Sequence, residues 1–267
     1  MRIALGLEYD GATFCGWQSQ PENCSIQDAL DQALSEITAE PITSTCAGRT
    51  DAGVHALGQV VHFDTSASRP TTAWTRGVNA LLPQGVAVTW AHEVSTEFHA
   101  RFSARDRRYI YWLLNRSPRP GLLHNRVGWF HQALDHQAME KAAQCLLGRR
   151  DFSAFRAAEC QAKTPIKTLR SLAIRRQGDL LRFDFSADAF LQHMVRNLVG
   201  ALVYVGSGRQ PVTWIKELLE HRDRTRSAPT FSPAGLYLAA VTYDPQWQLP
   251  PGPDPDPTEQ VLAATIG

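Results

Sequence analysis

At 267 residues and 43% hydrophobic content, the chain has apolar material for one large core or two modest ones. Its net charge of +1, from 27 Lys and Arg against 26 Asp and Glu, excludes the highly charged composition of a disordered chain. Glu8 and Asp10 interrupt the N-terminal segment before a signal-peptide core can form, and no run approaches the roughly 18 apolar residues of a membrane span, so the expectation is a soluble cytoplasmic protein. The five cysteines, Cys15, Cys24, Cys46, Cys145 and Cys160, include no C-x-x-C pair, which points to reduced thiols rather than a disulfide framework or a zinc site.

The balanced charge conceals an uneven distribution. Residues 95–182 carry 14 Arg and 3 Lys against 7 acids, whereas both flanking segments are net acidic. Arginines make up 23 of the 27 basic residues, and their planar forks suit bidentate phosphate contacts. A basic middle third fits a polyanionic partner, although a solvated face would look the same.

In chain order, residues 2–9 read as an opening strand ending in the turn Asp10-Gly11. Ile26, Ala29, Leu30, Ala33, Leu34 and Ile37 recur at helical spacing, with Ser25 as N-cap and Asp28 three residues on as its capping-box partner. A short strand at 42–46, a glycine-punctuated turn, a strand through 59–63, a helix over 71–80 and a strand at 86–90 follow. The polar, basic stretch FHARFSARDRR marks a domain boundary near 105. Beyond it come an aromatic strand at 109–114, a helix over 135–147 capped by Gly148, and strands at 167–176 and 180–186. The run 189–205 is apolar nearly all round and reads as a buried helix, with Gln192, His193, Arg196, Asn197 and Gly200 as one polar stripe. A buried Arg196 would have to meet a carboxylate or phosphate, in a core ion pair or at a site. A helix at 212–220 and a strand at 235–243 complete the pattern. The expected architecture is α+β, with domains at 1–105 and 106–250, each a mainly antiparallel sheet with helices on one face. The proline-rich tail 251–267 reads as disordered.

The chemistry is expected in residues 46–63, CAGRTDAGVHALGQVVHF. Gly48 and Gly53 permit backbone closed to other residues, and Arg49 keeps the carboxylate of Asp51 ionised as nucleophile or base. Asp51 as a mere turn residue is the competing reading. No phosphate-binding loop, dinucleotide fingerprint or metal-ligand cluster occurs, so neither cofactor nor metal is expected. His55, His62, His99 and His193 read as satisfied core residues. Aromatics interleaved with arginines, Phe98, Phe102, Tyr109, Tyr111 and Trp112, are of the kind that stacks unpaired bases, which points to RNA as substrate. Tyr109 is either a core aromatic or, following Arg105, Arg107 and Arg108, the wall of a cleft.

Seven segments in order resemble the tRNA pseudouridine synthase A family: Tyr9-Asp10-Gly11 with Gly16-Trp17-Gln18, AGRTDAGVHALGQVVHF, Asn79-Ala80-Leu81-Leu82-Pro83, FHARFSARDRRYIY, DFSAF, HMVRNLVG and GLYLAAV. The resemblance implies a cofactor-free isomerase that breaks the C1′–N1 bond of uridine, turns the uracil and rejoins it through C5. It implies an active-site cleft between the two domains. It makes Asp51 the essential aspartate, Arg196 its basic partner and Tyr109 the active-site tyrosine that stacks on the base and shares in proton transfer. Arg49 would fill the space left by the flipped uridine, and Leu236 would contact the uracil ring. The implied substrate is the tRNA anticodon stem-loop at positions 38, 39 and 40, and the implied assembly a homodimer, with neither membrane nor DNA as partner. A non-catalytic RNA-binding protein and a uracil-releasing N-glycosidase are the alternative readings.

Overall fold

In a computed structural model describing residues 1–252, the described chain forms two compact units, residues 1–105 with 237–252, and residues 106–236. The tail expected to be disordered lies, from residue 253, outside the described residues.

The first unit begins with β1 (Arg2–Tyr9) and α1 (Ile26–Thr38). The capping box forms as its sequence demands: Ser25 Oγ accepts from Asp28 N at 3.1 Å while an Asp28 carboxylate oxygen accepts from Ser25 N at 3.2 Å. Next come β2 (Thr45–Cys46), β3 (His55–Asp64), a π-helical turn (Ala73–Gly77) leading into α2 (Val78–Leu81), and β4 (Val86–Val94). The antiparallel pairs β1–β3 and β1–β4 make β1 the central strand, and Ile3↔Phe63, Leu5↔Val61 and Leu7↔Gln59 set the first register. Register partners share a face. Phe63 therefore meets Trp74 of the helical turn edge-on at 5.5 Å on one face. On the other, Ala4, Ala47, Val60, Phe98 and Ala100 form a core packed by Tyr243, Trp247 and Leu249.

The second unit contains β5 (Ala104–Asn115, from residue 106), β6 (Gly128–Phe130), α3 (His136–Ala143), β7 (Gly148–Asp151), β8 (Ile166–Gln177) and β9 (Leu180–Ala187). Its strands run in the order β5-β9-β8-β7, with antiparallel β5–β9, β8–β9 and β7–β8 and a parallel β5–β6 pair. α4 (Met194–Gly206) and α5 (Trp214–His221) follow. Both units thus carry mainly antiparallel sheets with few helices, in keeping with an α+β class. The last strand, β10 (Leu236–Tyr243), pairs parallel with the start of β3 through Tyr237↔His55, so a strand late in sequence belongs to the first unit.

Three expectations need correction. Cys15 and Cys24 are disulfide-bonded, with Cα atoms 5.5 Å apart, leaving Cys46, Cys145 and Cys160 as the free cysteines. The bend between them closes through Cys15 N–H to Cys24 O at 3.0 Å, a pairing that a search for C-x-x-C cannot find. The helix expected from 189 starts only at Met194, because His193 adopts a left-handed φ of 62°. Of the two glycines flanking Asp51, only Gly53 uses a positive φ, 77°. No helix among the described residues is long and apolar enough to cross a membrane.

Candidate active site

Residues 47–54 join β2 to β3 and carry Arg49 and Asp51. Within them Thr50 is buried between the exposed Arg49 and the half-buried Asp51. The turn closes locally through Val54 N–H to Asp51 O at 3.1 Å, with Gly53 supplying the positive φ.

Residues distant in sequence hold this loop from behind. Gln59 Nε2 donates to Gly48 O at 2.6 Å, Tyr9 Oη lies 2.8 Å from Thr50 Oγ1, and Trp17 N–H donates to Thr50 O at 2.9 Å. Gly16, at φ 101°, packs against the same backbone, where a Cβ would stand 2.9 Å from Thr50 O and 3.0 Å from Ala52 N. Gly11 approaches Val54 so closely that a Cβ would lie 2.0 Å from its carbonyl oxygen. At the start of β3, His55 is 1% exposed and stacks on Tyr237 with ring centroids 4.6 Å apart. Its Nδ1 lies 3.0 Å from Asp10 Oδ1 and 3.2 Å from Gly11 N. One Nδ1 serves only one of them: protonated it donates to Asp10, and bare it accepts from Gly11. Beneath the loop, burial pushes the Cys46 thiol up to about 12 against the opposing charge of Arg49, so Cys46 is an inert core residue.

Tyr109, Arg196 and Leu236 belong to the second unit. Tyr109 lies on β5 opposite Phe185, is 8% exposed, and meets Phe190 edge-on at 5.0 Å. Leu236, 5% exposed, follows a tight approach in which Trp112 N–H donates to Gly235 O at 2.8 Å and a Cβ on Gly235 would lie 2.2 Å from Trp112 O.

The polar stripe on α4 is explained by residues 228–231, which run along it. Arg196 Nε donates to Phe231 O at 2.9 Å, and Phe231 N–H returns a bond to Arg196 O at 3.3 Å. A Cβ on Gly200 would sit 2.6 Å from Pro229 O. Arg196 is half-buried rather than fully enclosed, because it stands in the first turn of α4 beside this segment. Asn197 is the enclosed member at 0% exposure, donating to Phe155 O at 2.8 Å and accepting from Thr230 Oγ1 at 2.7 Å and Arg224 at 3.1 Å.

Arg49 and Asp51 thus lie together on one loop of the first unit, while Tyr109 on β5, Arg196 on α4 and Leu236, the last residue before the chain rejoins the first unit, belong to the second. The sequence reading assigned no role to the support of that loop, Tyr9, Gly16, Thr50 and Gln59. Two of its signals were visible, since Tyr9-Asp10-Gly11 and Gly16-Trp17-Gln18 stand out as motifs. Among the described residues no group of three or more His, Cys, Asp or Glu could hold a metal ion.

The first unit thus presents an exposed arginine and a half-buried aspartate two residues apart, on a loop whose backbone is tied to the strands behind it. The model of the tRNA pseudouridine synthase family matches residues 7–103 and 142–244, which takes in Arg49, Asp51, Arg196 and Leu236 and leaves out Tyr109. The chain belongs to this family, whose members are isomerases that modify tRNA. Proteins named tRNA pseudouridine synthase A from Thiobacillus denitrificans and Methylobacillus flagellatus are 60% and 59% identical over 250 residues, covering 94% of this chain and 96% of each relative. The protein of that name from Dechloromonas aromatica is 57% identical over 262 residues, 98% of both chains.

Proposed function

We propose that the chain converts uridine to pseudouridine at positions 38, 39 and 40 of the tRNA anticodon stem-loop, with Asp51 as the reacting carboxylate and no cofactor. The C1′–N1 bond breaks, the uracil turns, and a C1′–C5 bond forms. N1 gains a proton and C5 loses one, so atoms balance without an oxidant or reductant. Asp51 acts either as nucleophile at C1′ or as base on the ribose. Arg196 pairs with Asp51, Tyr109 stacks on the base and takes part in proton transfer, Leu236 contacts the uracil ring, and Arg49 fills the place of the flipped nucleotide. The enzyme acts as a homodimer in the cytoplasm, with an active-site cleft flanked by its two domains.

One observation carries this reading: the loop bearing Arg49 and Asp51 is tied at Gly48, Thr50 and Val54, so a carboxylate with partial access to solvent is held on fixed backbone. Preorganised charge of this kind is what a reaction with developing charge at C1′ requires. The arginine-rich middle third supplies phosphate contacts. If about five phosphates are neutralised, log affinity falls against log salt with a slope magnitude of roughly 3 to 4.

The test is tritium release from tRNA labelled at uridine C5, comparing wild type with Asp51→Asn. Release by wild type and a loss of about 10³-fold or more in the variant supports the reading. Binding of tRNA by the wild type without release refutes it, and free uracil in the medium would indicate hydrolysis instead.

A further inference from the structure

Gln59 is 0% exposed, and a buried primary amide must place its donors on protein acceptors. One bond goes to Gly48 O at 2.6 Å, and the same Nε2 lies 3.4 Å from Tyr9 Oη. The amide oxygen accepts from Val60 N–H at 3.2 Å, which fixes which end of the amide is which. The phenol oxygen, which accepts from Gln59, also shares a hydrogen bond with Thr50 Oγ1 at 2.8 Å. Gly48 and Thr50 flank Arg49, and Thr50 precedes Asp51. Anchoring the Gly48 carbonyl and the Thr50 side chain therefore fixes the backbone on both sides of Arg49 and immediately before Asp51.

We propose that Tyr9 and Gln59 are positioning residues for the uridine isomerisation, acting through Gly48 and Thr50 on Arg49 and Asp51. The inference rests on Asp51 being the reacting carboxylate. Tyr9 is 4% exposed and Thr50 7%, so the network lies beneath the loop and works through its backbone rather than on substrate. Chemistry at C1′ is sensitive to such control, since a misplacement of about 1 Å costs on the order of 10²-fold in rate.

The test uses Tyr9→Phe, which keeps the ring against Trp17 and removes the hydroxyl, with Thr50→Val, Thr50→Ser and the double variant Tyr9→Phe/Thr50→Val. Steady-state kinetics on tRNA, single-turnover tritium release, tRNA affinity and thermal unfolding are measured for each. Tyr9→Phe and Thr50→Val are expected to lower kcat by roughly 10- to 30-fold, with KM and tRNA affinity within about 2-fold of wild type. Thr50→Ser, which retains the hydroxyl, restores kcat to within about 3-fold, and the double variant is no worse than the poorer single one, because both remove the same bond. A wild-type kcat in Tyr9→Phe and Thr50→Val, additive losses, or a kcat loss that disappears below the unfolding temperature would overturn the proposal. Both substitutions are near-isosteric and keep the packing, and Gln59→Leu, measured beside them, is expected to lower kcat in the same way wherever it folds. If Asp51→Asn keeps full activity, the functional reading falls and the positioning role with it. An inactive Asp51→Asn beside a fully active Tyr9→Phe overturns the positioning role alone.

Discussion

Gly16→Ala probes the wall behind the aspartate loop. Gly16 has φ 101°, where an alanine is strained by about 1–2 kcal/mol. The added Cβ would also stand 2.9 Å from Thr50 O, 3.0 Å from Ala52 N and 3.2 Å from Asp51 C, all backbone atoms. Restoring ordinary contact requires the loop to retreat by roughly 0.5 Å. If 1 Å costs about 10²-fold, half of that costs about 10-fold in kcat. Gly178→Ala is the control: Gly178 has φ 57° in the turn between β8 and β9, with nothing within 4 Å of an added Cβ. It suffers comparable strain with no neighbour to displace. Single-turnover tritium release and thermal unfolding are measured for both. Both variants should lose stability, and only Gly16→Ala should lose kcat. Wild-type kcat in Gly16→Ala, or an equal loss in Gly178→Ala, refutes the argument that Gly16 sets the position of Asp51.

Replacing Cys15 and Cys24 by serine removes a cross-link between residues nine apart, which costs about 2.6 kcal/mol in the chain-entropy account. The thermal midpoint should fall by roughly 5–10 °C, and a dithiol should do the same to wild type by donating two electrons and two protons to the bond. A wild-type midpoint insensitive to reductant contradicts this. His62 is buried and accepts from Ala100 N–H at 3.2 Å, and burial, with the nearby charge of Arg2, lowers its pKa to about 4. A base whose folded pKa lies below its unfolded value of about 6.5 binds fewer protons when folded, so its contribution is complete above pH ~6.5 and is lost as pH falls towards ~4. After allowance for solvent near the ring, roughly 1–2 kcal/mol should disappear across that window in urea unfolding, and His62→Gln should flatten the slope. An unchanged slope in the variant refutes the assignment. Asn197→Leu strands Phe155 O, Thr230 and Arg224 beside α4, and should cost about 2–4 kcal/mol in the same assay. A loss below about 1 kcal/mol would mean that water replaces the amide.

What the sequence made legible was local. The α1 capping box needs only Ser25 and Asp28, three residues apart, and it forms as read. β6 and β7 escaped because they are three and four residues long, and β7 is largely exposed, so neither carries an alternation to detect. The over-long helix before Met194 shows the limit of composition, since apolar residues announce burial whether or not the backbone is helical, and only the φ of His193 marks the break. Gly48 and Gly53 look alike in sequence, yet one is needed for its φ and the other is placed where its carbonyl meets Gln59.

The candidate site divides along the same line. Arg49 and Asp51 were found because they stand two residues apart in a glycine-punctuated turn. Their support depends on the register of β1 against β3, which brings residues about 50 positions apart into contact: Leu7 lies opposite Gln59 and, after a register shift, Tyr9 opposite Ala56. An unshifted ladder would set Tyr9 opposite Leu57, so the irregularity adds a residue to β3 between the two members of the clamp. No local pattern encodes that shift. The candidate charged pair is therefore readable from spacing, whereas the groups that hold its loop follow from pairing between distant strands. For the same reason, substitutions at Tyr9, Gly16, Thr50 and Gln59 test the geometry of the proposed site more directly than removal of Asp51, a change whose expected loss of activity says nothing of what holds the loop.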